Sequence, residues 1–409
     1  MEDSDNLDNA GWTPESTPII PPNPILSISE FTGGKSALFN LLDVGTVRSP
    51  TSGRMAIALA LELEKIGKED EILIPAYHCS SMVAPVVHYG AKPVFYKILP
   101  DMSVDLEDIE EKLTPHTKGL LITHYFGFVQ PIQKIRDFCD RKNIILIEDC
   151  AHAFFGEVEG KPIGSFGDYA VGSYMKFFPV FDGGCLVSGR HSLKEITLES
   201  GGVSFELQSL INILELSFKY NRLRILSLIL KLPLKFKSYL WSIFKTHNTK
   251  KGRQPPIAPN ASHGGFDFDK SWIRKKISRC SNSILRICST KHLIEARLQN
   301  YRYLSQQFSD SDKYKPLLPV LPDHTVPYVF PLLITDTRIN VNDVFYNLRK
   351  KGIPLLRWEE LWDGVDSRTC DISQNYSQNL IQIPCHQSLS QIELDRMITL
   401  VKDRFKKIY

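Results

Sequence analysis

The chain has 409 residues, far more than one small core requires, so we expect two or three packed units. Charged residues make up 23% of the chain and hydrophobic residues 43%, which is usual for a globular protein in water. The formal net charge of +3 is too small to indicate a nucleic-acid-binding protein. No uninterrupted apolar run reaches the length of about 18–20 residues that a membrane-spanning helix requires.

The eight cysteines are scattered along the chain, without a CxxC pair or a Cys/His cluster at zinc spacing. We therefore expect free thiols, a cytoplasmic compartment and no metal site. The N-terminus is acidic and carries no Lys or Arg before Lys35, so it lacks the basic start of a secretory signal. We expect residues 1–17 to form a disordered acidic tail.

Helix-like and strand-like segments alternate between Ser52 and Cys185. Apolar residues recur at helical spacing over 53–66, and a further helix is expected over 131–142. Short apolar runs predict strands at Ile72–Ile74, Pro93–Ile98, Leu120–Thr123, Ile144–Ile147 and Tyr169–Tyr174. Because alternating strands and helices imply crossover connections, the pattern predicts an α/β fold with a largely parallel sheet that is covered on both faces.

The second half of the chain has a different organisation. The alternation stops at residues 205–253, residues 254–264 are predicted to form a loop, and a long helical region follows at about 271–308. Further elements are expected at 328–334 and 381–383 (strands) and at 341–351 and 390–407 (helices). We therefore divide the chain into a large α/β domain over 18–310 and a small C-terminal α+β domain over 311–409.

Three segments place polar residues where a parallel sheet binds its ligands, at the carboxyl ends of strands. Asp149 and His152 follow one predicted strand, and Lys176 follows another. Gly53 and Arg54 begin the first helix, whose N-terminus offers unpaired N–H groups and a positive dipole end that suit a phosphate. These residues could serve pyridoxal 5'-phosphate (PLP), which needs a lysine amine, a carboxylate beside its pyridine nitrogen and a phosphate site.

Ordinary structural roles would also explain each of these residues. Asp149 could cap a helix or form a turn, and Lys176 could extend along the surface with its charge in water. The Ser-Gly pair before the helix could be a simple cap, and His152 could be a hydrogen-bonded core residue. Spacing alone leaves both interpretations open.

Six sequence blocks, in order, resemble the DegT-type (StrS-like) sugar aminotransferases. The blocks are PAYHC (75–79), GAKPVF (90–95), THYFG (123–127), IEDCAHAFFG (147–156), GSFGDYAVGSYMK (164–176) and DGGCLVSG (182–189). The resemblance spans roughly residues 50–190, and IPCHQSLS (383–390) is similar to that family's closing motif. It implies a PLP-dependent transferase of fold type I, aspartate-aminotransferase-like, with a large mostly parallel-sheet domain and a small C-terminal α+β domain.

The resemblance also implies a role for each candidate residue. Lys176 matches the catalytic lysine that carries PLP as a Schiff base, since it stands seven residues before Gly183 as the family's lysine does before its Gly-Gly. Asp149 matches the partner of the pyridine nitrogen. The remaining matches are Gly53 and Arg54 in the phosphate-binding turn, His152 as a ring contact, and Ser173 as a serine that reaches the phosphate.

The chain departs from the family pattern at three places. Ser173 lies three residues before Lys176, whereas the family's serine lies five residues before its lysine. Where the family often has an aromatic residue that stacks on the cofactor ring, this chain has Cys79, and His78 is the candidate substitute. Many members carry a Gly-Tyr-Asn-Tyr-Arg motif whose Asn reaches the cofactor phosphate of the partner subunit. The nearest match here is 265–269, with Asp267 in place of the Asn. Because a carboxylate repels a phosphate, either this contact is lost or the alignment differs.

A strongly basic segment lies between Glu215 and Asp267, where no acidic residue occurs. Its basic residues are Lys219, Arg222, Arg224, Lys231, Lys235, Lys237, Lys245, Lys250, Lys251 and Arg253. They alternate with large apolar residues, which is typical of helices that lie on an anionic membrane surface. The alternative is a helical cover of the large domain with a solvated basic face. No nucleic-acid-binding module is visible.

We therefore predict an aminotransferase that transfers an amino group, with glutamate as donor, to a keto group of a nucleotide-linked sugar. The resemblance implies a homodimer, because the sites of the family are built at a subunit interface. A PLP-dependent sugar dehydratase of the same fold is an alternative, although those enzymes usually have histidine in place of Lys176. A degenerate homologue with a binding or regulatory role also stays open, because of Cys79 and Asp267.

Overall fold

The computed structural model of the protein describes residues 20–223, 226, 268–309, 311–366 and 369–406. The predicted tail at 1–17, the predicted loop at 254–264 and the residues up to Asp267 lie outside this part of the chain. Most of the basic segment, from residue 227 onward, also lies outside it.

A large mixed sheet forms the centre of the described residues. Its seven strands, in spatial order, are β1 (Thr46–Arg48), β9 (Gly184–Ser188), β8 (Tyr169–Ser173), β5 (Ile145–Asp149), β4 (Thr117–Thr123), β2 (Glu71–Pro75) and β3 (Lys92–Tyr96). The strands from β8 to β3 are parallel to one another. At one edge, β9 pairs antiparallel with β8, and β1 pairs antiparallel with β9. The predicted strands and the largely parallel sheet are confirmed. A two-stranded hairpin, β6 (Glu157–Val158) and β7 (Lys161–Pro162), lies outside this sheet.

Helices cover both faces of the large sheet. In the first half of the chain they are α1 (Gly53–Leu63), α2 (Ser80–His88), α3 (Leu106–Glu111), α4 (Ile132–Lys142) and α5 (Val203–Lys219). Every residue of β2, β8 and β9 is buried, as expected for the strands of a sheet that is covered on both faces. The interruption predicted from residue 205 is in fact helical at its start, since α5 occupies 203–219.

The predicted helical region at 271–308 consists of two helices. They are α6 (Arg279–Ile287) and α7 (Thr290–Gln307). Cys288 and Ser289 between them are extended, and the Ser289 hydroxyl accepts a hydrogen bond from the backbone N–H of His292 at 3.2 Å. A serine in this position caps the second helix, so the chain turns instead of continuing as one long helix.

A smaller antiparallel sheet follows in the C-terminal part. Its strands are β10 (Tyr314–Pro316), β11 (Val329–Ile334) and β12 (Leu380–Pro384), and the helices are α8 (Val341–Lys350), α9 (Asp371–Asn379) and α10 (Gln391–Lys406). Its core also contains Ile20 and, from α7, Tyr301 and Leu304, all fully buried. Long α7 therefore packs on the small sheet, and the division of the chain at residue 310 stays a prediction.

A close approach of two backbones fixes the start of α1 against the large sheet. A Cβ atom on Gly184 would lie 2.3 Å from the backbone nitrogen of Gly53, so only glycine fits at the start of β9. Next to it, buried Asp182 anchors two helices. Its Oδ1 accepts from the backbone N–H of Ser278 at 2.8 Å, and its Oδ2 accepts from the hydroxyls of Ser281 at 2.9 Å and of Ser209 in α5.

Candidate active site

The structure brings six of the seven predicted site residues into one pocket. Gly53, Arg54, Asp149, His152, Ser173 and Lys176 all line it. The pocket lies where the carboxyl ends of β5 and β8 meet the N-terminus of α1, which is the expected ligand site of a parallel sheet. The other lining residues are Ile57, Cys79, Ser81, Met82, Thr123, Ala151, Val171 and Trp358.

The start of α1 forms the anion-binding side of the pocket. Ser52 is the N-cap, and its hydroxyl accepts a hydrogen bond from the backbone N–H of Met55 at 3.4 Å. Gly53 and Arg54 follow in the first turn, where the N–H groups of a helix have no acceptor within the helix itself. Ser173, at the end of β8, lines the same pocket. This arrangement provides the donors and the positive dipole end that a phosphate needs.

Asp149 and Lys176 form an oppositely charged pair in the pocket. Asp149 ends β5 and is 6% exposed. Burial raises the pKa of its carboxyl group. The charge of Lys176 and a hydrogen bond from the backbone N–H of Ala151, 2.9 Å away, lower that pKa. Lys176 follows β8 in a short helical turn. Burial lowers the pKa of its amine, and the Asp149 carboxylate opposes this shift. A lysine with a lowered pKa has more of the neutral amine, which is the form that attacks a carbonyl carbon.

His152 is a neutral hydrogen-bond donor at the pocket wall. Burial and the nearby Lys176 lower the pKa of its ring well below the usual value. Its Nδ1 accepts the backbone N–H of Phe126 at 3.4 Å, so the single proton of the neutral ring lies on Nε2. The ring is stacked between Phe126 and Tyr328, at centroid distances of 5.7 and 4.5 Å. This packing fixes the orientation of the Nε2–H group.

His78, the predicted substitute for the ring-stacking aromatic residue, is not one of the described residues that line the pocket. Its Nδ1 lies 3.1 Å from the carbonyl oxygens of Pro75 and Ala76, and its Nε2 accepts the backbone N–H of Trp362 at 3.2 Å. The ring stacks on Phe95, and burial lowers its pKa to about 4. His78 therefore has a structural role, since it joins the end of β2 to the loop that contains Trp362. Its ring faces away from the pocket that the neighbouring Cys79 lines.

Two aromatic residues at the pocket were not predicted from the sequence. Trp358 lines the pocket and packs against Tyr77 and His152, with centroid distances of 5.1 and 5.2 Å. The ring of Tyr328 lies below the Lys176 amine, with 5.3 Å between Nζ and the ring centroid. Both belong to the C-terminal part of the chain, and no local motif distinguishes them from core aromatics. Trp358 thus gives the pocket lining an apolar part, and Tyr328 contacts the Lys176 amine.

Behind the pocket, buried polar residues form a satisfied network. His124 Nε2 lies 2.9 Å from Glu148 Oε2, and Glu148 Oε1 accepts the backbone N–H of Phe166 at 2.9 Å. In the described part of the chain, one group of side chains is close enough together to hold a metal ion: His124, Glu148 and Cys150. The second nitrogen of His124 accepts the backbone N–H of Gln130 at 3.1 Å. Since the side-chain atoms of His124 and Glu148 are already hydrogen-bonded, these two residues support the ends of β4 and β5.

The Asp149–Lys176 interaction predicts a pH effect. The Asp149→Asn substitution keeps the side-chain volume but removes the charge that favours the ammonium form, so the pKa of Lys176 should fall further. In cofactor-free protein, the pH midpoint for labelling of Lys176 by an amine reagent should move to lower pH, measured by mass spectrometry. Exposed Lys118, read in the same digests, should keep its midpoint. An unchanged midpoint at Lys176 would show that the two groups do not interact.

Part of the chain is similar in sequence to known aminotransferases. Residues 35–211 match the model of the DegT/DnrJ/EryC1/StrS aminotransferase family. GDP-perosamine synthase of Vibrio cholerae is 34% identical over 167 residues, which cover 40% of this chain and 46% of that protein. L-glutamine:2-deoxy-scyllo-inosose aminotransferase of Streptomyces kanamyceticus is 37% identical over 125 residues, which cover 30% of this chain and 29% of that protein. The aligned stretches thus span less than half of these curated relatives.

Solved structures show the fold over nearly the whole chain. The aminotransferase PseC of Helicobacter pylori has a TM-score of 0.62 at 16% identity, covering 94% of this chain and 98% of that one. The PLP-form of Spr1654 from Streptococcus pneumoniae has a TM-score of 0.63 at 18% identity, covering 95% and 98%. The predicted aspartate-aminotransferase-like fold of type I is confirmed. The part of the chain that matches the DegT/DnrJ/EryC1/StrS aminotransferase family, residues 35–211, contains the pocket lysine and carboxylate.

Proposed function

We propose that the protein is a PLP-dependent aminotransferase that acts on a keto group of a nucleotide-linked sugar, with glutamate as amino donor. The observation that carries this proposal is the placement of the Lys176 amine and the Asp149 carboxylate in one pocket that opens on the N-terminus of α1. The names of curated relatives, among them GDP-perosamine synthase and a dTDP-sugar 4-aminotransferase, support the substrate class.

The residues of the pocket fit PLP by their chemistry. The amine of Lys176 suits the aldehyde carbon, the carboxylate of Asp149 suits a protonated pyridine nitrogen, and the first turn of α1 suits the phosphate. His152 adds a neutral donor, Nε2–H, for the phenolic oxygen, and Ser173 adds a hydroxyl near the phosphate side. When bound, PLP supplies an electron sink that stabilises negative charge on the carbon that loses a proton.

Each residue would then have a defined task. Lys176 would hold the cofactor through its amine and, as a free amine, would carry the proton between the donor and acceptor carbons. Asp149 would favour a positive charge at the pyridine nitrogen, because its buried carboxylate gains most from a cationic partner. Trp358 in the pocket lining and the Tyr328 ring under the amine would limit the access of water to Lys176.

A keto group on a cyclitol is a second candidate substrate, favoured by the match to the scyllo-inosose aminotransferase. That substrate has a ring ketone like a keto sugar but lacks the nucleotide. A PLP-dependent dehydratase is less well supported, since the pocket carries Lys176 where such enzymes usually have histidine. We also propose a homodimer, as in the family that the sequence resembles. The motif match at 265–269 is the predicted contact with the partner subunit, and its residues 265–267 lie outside the described part of the chain.

An absorbance experiment tests the amino-transfer reaction. PLP-loaded protein should be yellow, and glutamate should replace the visible band with a near-ultraviolet band; a nucleotide-linked keto sugar should then restore the visible band. Lys176→Ala should abolish this cycle, whereas Lys161→Ala, at an exposed lysine, should leave it intact. Restoration by a keto cyclitol alone would assign the second substrate class. Retention of PLP with no response to glutamate or glutamine would contradict transamination and indicate a binding protein.

We further propose that the basic segment brings the protein to anionic membrane surfaces. No helix in the described part of the chain is long and apolar enough to cross a bilayer. However, α5 leads directly into the basic segment and exposes apolar side chains along one side, with Val203 76% and Leu207 53% exposed. Such an apolar strip next to a run of positive charges is typical of a helix that lies in the interface.

Vesicle binding tests this peripheral contact. Since each Lys or Arg near an acidic bilayer contributes about 1 kcal/mol, a few engaged residues should give salt-sensitive recruitment to phosphatidylserine vesicles and little to neutral ones. Replacing Lys231, Lys235 and Lys237 by glutamine should weaken binding. The matched replacement of exposed Lys65, Lys68 and Lys118 should not. Protein that stays free of anionic vesicles at low salt would show that the segment only covers the fold.

A further inference from the structure

Arg297, in the middle of α7, is a fully buried arginine that contacts the backbone around the pocket lysine. None of its surface is exposed. Its Nη2 donates to the carbonyl oxygen of Lys176 at 2.7 Å, and its guanidinium group stacks on Phe177 with 4.5 Å between Cζ and the ring centroid. Burial lowers its pKa to about 10, so the group is still charged at neutral pH.

A glutamine from the C-terminal motif holds the next carbonyl group of the same loop. The side-chain amide of Gln387 donates to the carbonyl oxygen of Phe177 at 2.8 Å, and its oxygen accepts from Arg297 Nε at 3.0 Å. The two side chains are thus bonded to each other and to consecutive carbonyls, at Lys176 and Phe177. This arrangement fixes the direction in which the lysine side chain leaves the backbone.

The same guanidinium group also positions Tyr328, whose ring lies under the Lys176 amine. Arg297 Nη1 donates to the carbonyl oxygens of Pro327 and Tyr328, at 3.0 and 3.1 Å. The ring of Tyr328 lies under the amine of Lys176 and against His152. One rigid planar group therefore determines both the backbone of the lysine and the position of its aromatic support.

The buried charge has a buried counterpart. Glu30, which is fully buried, accepts from Gln387 Nε2 at 3.2 Å and from the hydroxyl of Ser388 at 2.9 Å. Burying charged groups costs desolvation energy, so a buried ion pair is weak evidence of a stabilising role. The network is therefore better explained by the geometry that it imposes on the lysine loop than by stability.

We infer that Arg297 and Gln387 are positioning residues that set the Lys176 amine against Asp149, and so link the C-terminal motif to the cofactor pocket. The inference rests on the proposed function, because positioning matters only if Lys176 receives a cofactor. Asn300 provides a matched control. It lies one turn along α7, is also buried, and donates to the carbonyls of Cys385 and His386 in the same motif, at 3.3 and 3.1 Å.

The test compares PLP affinity and the labelling midpoint of Lys176 in four variants. Arg297→Met and Gln387→Met should weaken PLP binding by about tenfold or more, since small displacements of a reacting group are costly. Both should also shift the labelling midpoint of Lys176 in cofactor-free protein. Asn300→Leu, which breaks contacts of the same helix with the same motif, should stay within about twofold of the unmodified protein. Arg297→Lys keeps the charge but loses the planar fork, so it should not restore affinity.

The outcomes separate the possible errors. Equal losses in Arg297→Met and Asn300→Leu would show that Arg297 only holds the domains together, and full rescue by Arg297→Lys would show that charge alone matters; either would overturn the inference. If Arg297→Met fails to fold, Gln387→Met, which conserves volume, decides with the same readouts. Failure of the unmodified protein to bind PLP would instead contradict the proposed function itself.

Discussion

The attraction between the Lys176 amine and the Asp149 carboxylate is the interaction on which the chemistry of the pocket depends. Burial disfavours the charged form of each group, and each opposes that effect in the other. Neither charge would be tolerable here alone, because a buried charge without a partner is costly. The pair is possible because β5 and β8 are parallel neighbours, with Asp149 opposite Val171 in register. Their carboxyl ends bring both side chains to one edge of the sheet.

The surrounding fold holds this pair from three directions. Gly184 lets β9 pass directly against the start of α1, which places the helix N-terminus beside the end of β8. Asp182 ties α5 and α6 to the adjacent turn. From the C-terminal part of the chain, Gln387 after β12 and the buried guanidinium group of Arg297 in α7 donate hydrogen bonds to the backbone of the lysine loop. The C-terminal part of the chain thus supplies both a pocket wall and the contacts behind the lysine.

Sequence patterns predicted the parts of the structure that are encoded locally. The five parallel strands of the large sheet, the helices α1 and α4, and the placement of Asp149 and Lys176 at strand ends follow from periodicity and from position relative to strands. The two strands at one edge, β1 and β9, were not predicted. His78 was assigned to the pocket because it adjoins Cys79, but consecutive residues at a strand end point in different directions, and its ring faces Phe95. Trp358, Tyr328 and Arg297 are contributed from far along the chain, and their roles depend on tertiary packing that no local pattern encodes.

Reduction with borohydride tests the central claim most directly. Protein incubated with PLP, treated with borohydride and digested should yield one phosphopyridoxyl group, located on Lys176 by peptide mass spectrometry. Reduction should make the adduct permanent, so that dialysis no longer removes it, and the Lys176→Ala variant should lack it. An adduct on a different lysine, or no retained cofactor at all, would contradict the assignment of Lys176 and the function built on it.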